Sequence, residues 1–430
     1  MKILILGSGG RENAIAWRCS LDSPENEIFI APGNYGTSLI GKNIDIDIKN
    51  FSKIKNFCFE LKIDLVIVGS EEFLALGIVD YLESFGIIVF GPSKSSAKIE
   101  SDKSFAKNFM IKYGIPTADY KIFNREQHTE ALNYLKKEIY PIVIKVSGLA
   151  AGKGVTIATN FENARNTVEE IFIKNNFGIS GEKIVIEQFL EGEEVSILVV
   201  TDGDKYKILP SSQDHKRIFD NDLGPNTGGM GAYSPAPIAS NSVIKKIEDE
   251  VIKPTLFGLQ SENLKYKGCL YFGLMVDKND NPFVIEYNSR FGDPETQAIL
   301  PLIDGNFSEF LYSASTGGLI ENIISYKKSC SICVILSSAG YPGKYEIGKE
   351  ILGLEEVKSL NECLIFHSGT KLSDGKVLTS GGRVLGITQI NRNNDLIACK
   401  QDVYNAISKI KFDGMHYRSD IADKGIKRLQ

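Results

Sequence analysis

Between Val284 and Glu295 the chain reads Val-Ile-Glu-Tyr-Asn-Ser-Arg-Phe-Gly-Asp-Pro-Glu. If Phe283 to Asn288 is a strand, Glu286 and Asn288 stand two apart and point to one face. A carboxylate beside an amide oxygen is a pair of hard donors suited to Mg²⁺ or Mn²⁺, with water and phosphate oxygens filling the remaining octahedral positions. Arg290 on the same side could bridge phosphate oxygens or a substrate carboxylate through two parallel hydrogen bonds. An exposed strand end would carry the same residues merely solvated, so the neighbours must decide.

One neighbour is the stretch Lys145 to Val155, Lys-Val-Ser-Gly-Leu-Ala-Ala-Gly-Lys-Gly-Val. It is not a P-loop. That motif places a Ser or Thr after its lysine, whereas here Gly148 and Gly152 are four apart and Lys153 is followed by Gly154. The run from Pro141 to Val146 is rich in β-branched residues and predicts a strand carrying Lys145 at its end. Glycine then lets the following turn bring backbone N–H groups close to a ligand. Lys145 as a fixed cation and Lys153 on a flexible lid would face one anion; the bland alternative is a solvated hairpin tip. A third stretch, Ile184 to Glu194, joins two apolar runs by an acidic turn. Either it too is a solvated tip, or Phe189 and Leu190 flank a purine ring while Glu194 accepts ribose hydroxyls.

These groups need elements to hold them. A chain of 430 residues predicts about three ordinary domains. Its 43% hydrophobic and 24% charged residues read as globular, and a net charge of −5 without a basic block argues against nucleic acid as a partner. No apolar run approaches the ~18–20 residues of a membrane span, and Met1 to Gly7 is too short for a secretory core; a soluble cytoplasmic protein is expected. The seven scattered cysteines suit reduced thiols. Cys330 and Cys333 fall in a predicted strand, where residues three apart face opposite sides, which speaks against a zinc pair.

The first hundred residues alternate apolar runs (Ile3–Leu6, Ile28–Ile30, Leu65–Val68, Ile87–Phe90) with helical stretches, the rhythm of a parallel sheet with crossover helices. Gly7-Ser-Gly-Gly10 follows the first strand and precedes a helix predicted over Glu12 to Cys19, so backbone donors would meet an anion there. The second strand leads into Ala31-Pro32-Gly33-Asn34 with no acid for ribose hydroxyls, which argues against NAD and for a smaller phosphorylated ligand. The predicted architecture is multidomain α/β and α+β. It comprises a Rossmann-like parallel sheet over residues 1–100, a central region over 101–326 with a mobile lid at about 122–190, and a small mixed domain over 327–430 without an obvious catalytic cluster.

In this order the three charged stretches resemble the ATP-grasp superfamily, whose members clamp ATP between two lobes and activate a carboxylate as an acyl phosphate. Further motifs narrow the resemblance to the phosphoribosylamine–glycine ligase family: Ser212-Gln-Asp-His-Lys-Arg217, Gly224-Pro-Asn-Thr-Gly-Gly-Met-Gly-Ala-Tyr-Ser-Pro235, Asn288 to Thr296, Gly9-Gly-Arg-Glu12, Ala31-Pro-Gly-Asn34 and Gly381-Gly-Arg-Val-Leu385. The resemblance spans essentially the whole chain. It implies ligation of glycine to 5-phosphoribosylamine with ATP, in the second step of de novo purine synthesis, by a monomer. It implies that Lys103 and Lys145 contact nucleotide phosphates under the loop Gly148–Gly154, that Glu187 to Glu194 hold adenosine, and that Glu286 and Asn288 bind the metal. Asp214, His215, Lys216, the turn Asn226-Thr227-Gly228-Gly229, Arg290 and Asp293 would line the glycine and ribosylamine side, with Lys145 and Arg290 as the catalytic cations. Gly9, Gly10 and Arg11 would face the sugar phosphate, and Asn34 would also bind substrate. The family pattern has other residues at Asn13, Ser70, Glu72, Phe73 and Ser147. Rival readings are a ligase for another acid, a NAD or nucleotide-sugar enzyme, and a non-catalytic ATP-binding regulator.

Overall fold

The structure, a computed structural model, describes every residue except Ala151 and Lys265. Its first sheet is parallel throughout, in the order β3-β2-β1-β4-β5: β1 Lys2–Gly7, β2 Glu27–Pro32, β3 Lys42–Asn43, β4 Leu65–Val68 and β5 Val89–Phe90. Both faces are covered, which is why its strands are continuous apolar runs. Ile3 and Ile5 enter one core cluster while Leu4 and Leu6 enter another. The strand order reverses at β1, so the loop after β1 opens into a crevice at the carboxyl ends of the strands, the usual ligand position of such sheets. Helix α1 (Gly10–Ser20) follows that loop.

The lid segment folds as an antiparallel sheet in the order β6-β9-β7-β8: β6 Tyr120–Asn124, β7 Ile142–Val146, β8 Val155–Ala158 and β9 Lys183–Gln188. Leu135 and Val168, on helices His128–Leu135 and Phe161–Phe172, pack with Ile144 of the sheet in one cluster. Two long strands, β10 (Glu193–Thr201) and later β16 (Gly268–Val276), form the centre of the next sheet, flanked by β11 (Tyr206–Ile208) and β17 (Pro282–Asn288). Between them the chain makes four short strands: β12 (Gln213–Asp214), β13 (Arg217–Phe219), β14 (Leu223–Asn226) and β15 (Gly231–Ser234).

These short strands differ from what the sequence predicts. β12 and β15 join the C-terminal sheet, β15 pairing antiparallel with Cys330–Ser337, which in turn pairs with Arg383–Asn391. A sheet thus runs across residue 326, because two to four residues of Gln-Asp or Gly-Ala-Tyr-Ser carry too little periodicity to reveal a strand. β13 and β14 form a separate two-stranded ribbon. The last long helix begins at Leu396, where the Asp395 carboxylate caps it by accepting from Ile397 and Ala398 N–H. Cys330 and Cys333 do face opposite sides, one in the large core and the other beside Ala232 and Ile335. Among the described residues no helix is long and apolar enough to cross a membrane.

Candidate active site

A cleft of about 100 Å³ lies where the lid sheet meets β17, and Lys103, Lys145, Glu187, Glu286, Asn288 and Arg290 are on its walls. A bulge in β17 shapes it. Leu274 pairs with Val284 and Gly273 with Glu286, leaving Ile285 as the extra residue. The Ile285 carbonyl accepts from Lys145 Nζ at 2.9 Å, tying lid to sheet. Beyond the bulge the twofold period resumes, so Glu286 and Asn288 share the cleft face while Tyr287 is buried behind them.

The cations are held in place before any substrate is considered. Glu187 Oε2 lies 2.9 Å from Lys145 Nζ and 3.2 Å from Lys107 Nζ, all three side chains being buried. Lys107 was not singled out from sequence, although it stands one helical turn after Lys103 in Lys103–Lys112 and so shares its face. Lys103 Nζ donates to the Gly148 carbonyl at 3.2 Å. Burial would raise the Glu286 carboxyl, but Lys216, Lys145 and Lys103 more than offset it and hold the group at about 2, so it is ionised at neutral pH. Lys216 Nζ sits 3.3 Å from Glu286 and 3.4 Å from Glu194, bridging the two acids.

A second cluster adjoins the first. Arg290 Nε donates to Glu71 Oε2 at 3.1 Å and Nη2 lies 3.4 Å from Glu100, whose other oxygen accepts from Ser289 N–H and Oγ at 2.7 and 2.6 Å. Arg11 reaches the same Glu71 at 3.8 Å and donates to the Phe291 carbonyl at 3.0 Å. Burial works against the Glu71 charge, yet the two arginines hold its pKa at about 2. Glu71 and Glu100 also escaped the sequence reading; the position of Glu71 just beyond β4, beside the switch point, was the available signal. Asp293 accepts from Gln297 at 2.7 Å and pairs with Arg383 at 3.2 Å. Arg383 also donates to the Gly228 carbonyl at 2.6 Å, and Gly228 N–H donates to Tyr341 Oη at 3.0 Å. The C-terminal region therefore supports the site through two residues far apart in sequence. Thr227 donates through its N–H and hydroxyl to the Lys216 carbonyl at 2.7 and 2.8 Å. Burial pushes Asp214 up to about 8 and His215 down to about 3.

Other expected site residues lie elsewhere. Asn34 is buried and spends its amide on the carbonyls of Ser8 (2.9 Å) and His367 (2.8 Å), fastening the loop instead of facing the cleft. Gly9 N–H, expected to meet an anion, donates to the helix's own Glu12 at 2.7 Å, because a carboxylate at the third helical position satisfies that free donor. A Cβ at Gly10 would press on the side-chain ends of Gln297 and Ser368, which would have to shift. Phe189, Leu190 and Glu194 are half-buried in and just after the β9–β10 turn, and Lys153 is exposed on its loop, all outside the cleft walls. Gly152 adopts a left-handed φ of 75°, and a Cβ there would lie 3.2 Å from the Thr227 carbonyl oxygen, so the loop tip meets the turn that holds Gly228. Asn13 accepts from His367 N–H at 2.6 Å, and Ser147 donates to Asp102 at 2.8 Å, giving both departures from the family pattern a structural partner.

Three family models cover nearly the whole chain: the phosphoribosylglycinamide synthetase N domain over residues 1–100, its ATP-grasp (A) domain over 101–296 and its C domain over 331–424. The chain belongs to the phosphoribosylglycinamide synthetase family. It is 43% identical over 422 residues to the phosphoribosylamine–glycine ligase of Caldanaerobacter subterraneus, covering 98% of this chain and 99% of that one. It is 45% identical over 433 residues to the human trifunctional purine biosynthetic protein adenosine-3, of which it matches 42% of the length. The crystal structure of phosphoribosylamine–glycine ligase from Thermotoga maritima superposes with a TM-score of 0.83 at 35% identity, covering 98% of this chain and 100% of that one. The biotin carboxylase domain of Hydrogenobacter thermophilus 2-oxoglutarate carboxylase, at 15% identity and a TM-score of 0.72 over 100% and 98% of the two chains, shares the fold.

Proposed function

We propose that this chain joins glycine to 5-phosphoribosylamine at the cost of one ATP, yielding glycinamide ribonucleotide, ADP and phosphate through glycyl phosphate. The observation that carries the reading is that Lys103, Lys145 and Arg290 line the same cleft as the Glu286/Asn288 pair, within a chain of this family. A carboxylate cannot expel oxide, so it needs phosphorylation before an amine can displace it. Phosphoryl transfer asks mainly for positioning and for charge on the transferring oxygens. Lys103 and Lys145 supply that charge, and Lys145 is kept in line by Glu187 and the Ile285 carbonyl. Arg290, oriented by Glu71 and Glu100, presents its remaining N–H groups to the glycine carboxylate.

The donor set fits a divalent cation: an ionised carboxylate and an amide oxygen on one face, the first held at about 2. Mg²⁺ or Mn²⁺ held by Glu286 and Asn288 would neutralise the phosphate oxygens. The loop Gly148–Gly154 excludes water from an acyl phosphate that water would destroy. Arg11, whose Nε donates to Glu12 at 2.7 Å, supplies the positive charge for the sugar phosphate through its Nη groups, while Gly9 N–H is engaged by Glu12.

Bond order provides the test. If glycine attacks the γ-phosphorus, one of its carboxylate oxygens leaves with phosphate when the amine of phosphoribosylamine attacks the carbonyl. Glycine labelled with heavy oxygen should pass one labelled atom to each phosphate formed, and ADP release should require both glycine and phosphoribosylamine. Labelled AMP beside unlabelled phosphate would refute the scheme.

A further inference from the structure

The ribbon of β13 and β14 belongs to no larger sheet, and an isolated two-stranded pair is marginally stable at best. It nevertheless leads directly out of Lys216 and back into Thr227. Three successive carbonyls along it are pinned. That of Lys216 accepts from Thr227, that of Arg217 from Arg418 Nη1 at 3.1 Å, and that of Ile218 from His416 Nε2 at 2.9 Å. At its tip, Asn221 N–H donates to Asp420 Oδ2 and Ser419 N–H to Asp220 Oδ1, each at 2.8 Å. The residues that grip the ribbon thus come from one segment near the end of the chain.

Arg418 is the centre of that grip. It is wholly buried. Nε and Nη2 each reach Asp420 at 2.7 Å in a two-pronged pair, while Nη1 also donates to Asp222 at 2.9 Å. Burying a guanidinium is costly, and an apolar side chain of similar volume often serves stability as well or better. What the planar fork offers instead is fixed direction. Its side-chain bonds go to the ribbon itself or to Asp420, which holds the ribbon's tip. We infer that Arg418 is a positioning residue for the ligation: through the ribbon it fixes where Lys216 Nζ meets Glu286 and Glu194. The inference rests on the ligase function proposed above, with Lys216 on the glycine and ribosylamine side as the family resemblance implies.

The test uses the full-length enzyme, with ADP release measured while glycine, phosphoribosylamine and ATP are varied separately. Arg418→Met keeps volume and removes the fork. It should lower kcat at least about tenfold, within the ~100-fold that a 1 Å misplacement can cost, and raise KM for glycine. ATP affinity by equilibrium binding should stay within about twofold. Arg418→Lys, retaining charge without the fork, should restore only part of the loss. Because Arg418 acts through Lys216, the double variant with Lys216→Met should be no slower than Lys216→Met alone; multiplied effects would mean independent action and overturn the inference. Unchanged turnover in Lys216→Met would overturn the ligase reading of that residue together with the inference, whereas a lowered melting temperature with normal kinetics in Arg418→Met would overturn the inference alone. Should Arg418→Met fail to fold, Asp222→Asn, whose side chain is 37% exposed, tests the same contact. A smaller fall in kcat with the same rise in KM for glycine is expected, and normal kinetics would again overturn the inference.

Discussion

Glu286 is surrounded by more positive charge than any structural role requires, with Lys216 in contact and Lys145 and Lys103 near enough to hold its pKa at about 2. Glu286→Gln keeps the shape and removes the charge. It should raise the magnesium concentration needed for half-maximal turnover at least about tenfold, the lower end of what even an outer partner of a metal ligand commands. An unchanged magnesium requirement would take the residue out of the metal site. This residue could be picked from sequence because its partner stands two positions away in a recognisable strand. Glu71, Glu100 and Lys107 could not: each acts through a neighbour distant in the chain, and single charged residues look alike wherever they fall. Arg383 falls in the Gly381–Leu385 motif, but its contact, like that of Tyr341, was hidden for the same reason, since the Gly228 turn they hold is more than a hundred positions away.

At the scale of elements, the parallel sheet was legible because strands buried on both faces are written as unbroken apolar runs. The bulge at Ile285, the ribbon and the strands β12 and β15 were not, since each depends on a partner strand and not on its own pattern. The final helix, Asp423–Leu429, has an entry that its sequence disguises. Ala422, buried, adopts φ 75° and ψ −2°, a conformation that costs an L-residue roughly 1–2 kcal/mol. Ala422→Gly should therefore stabilise the protein by up to about 1 kcal/mol after the looser unfolded chain is allowed for. Urea unfolding followed by far-UV circular dichroism measures it. A destabilised variant would mean that the methyl group's packing outweighs the strain.

For the whole molecule, acid stability has opposing contributors. Burial, and secondarily Lys358, lowers His367 from 6.5 to about 4. The folded state then refuses a proton that the unfolded chain accepts, so its stability is full above pH 6.5 and falls as pH drops towards 4. Asp214, raised from 3.8 to about 8, works in the opposite direction over this range. Comparison with a variant separates them. His367→Gln should reduce whatever stability is lost between pH 7 and pH 5 by about 2 kcal/mol, read from urea midpoints at the two pH values. An unaltered pH slope would show that this histidine titrates normally.

The pairing of Gly231–Ser234 with Cys330–Ser337 also bears on how the polypeptide comes off the ribosome. Every residue of Gly231–Ser234 is buried in the finished protein, yet its partner strand is synthesised about a hundred residues later, and His416 to Asp420 later still. A nascent chain that has already delivered Lys103 and Lys145 therefore carries an unpaired strand edge and a loose ribbon. The turn that joins the ribbon to Gly231–Ser234 thus waits for partners made a hundred and more positions later, so premature termination anywhere before residue 337 leaves that strand edge unpaired.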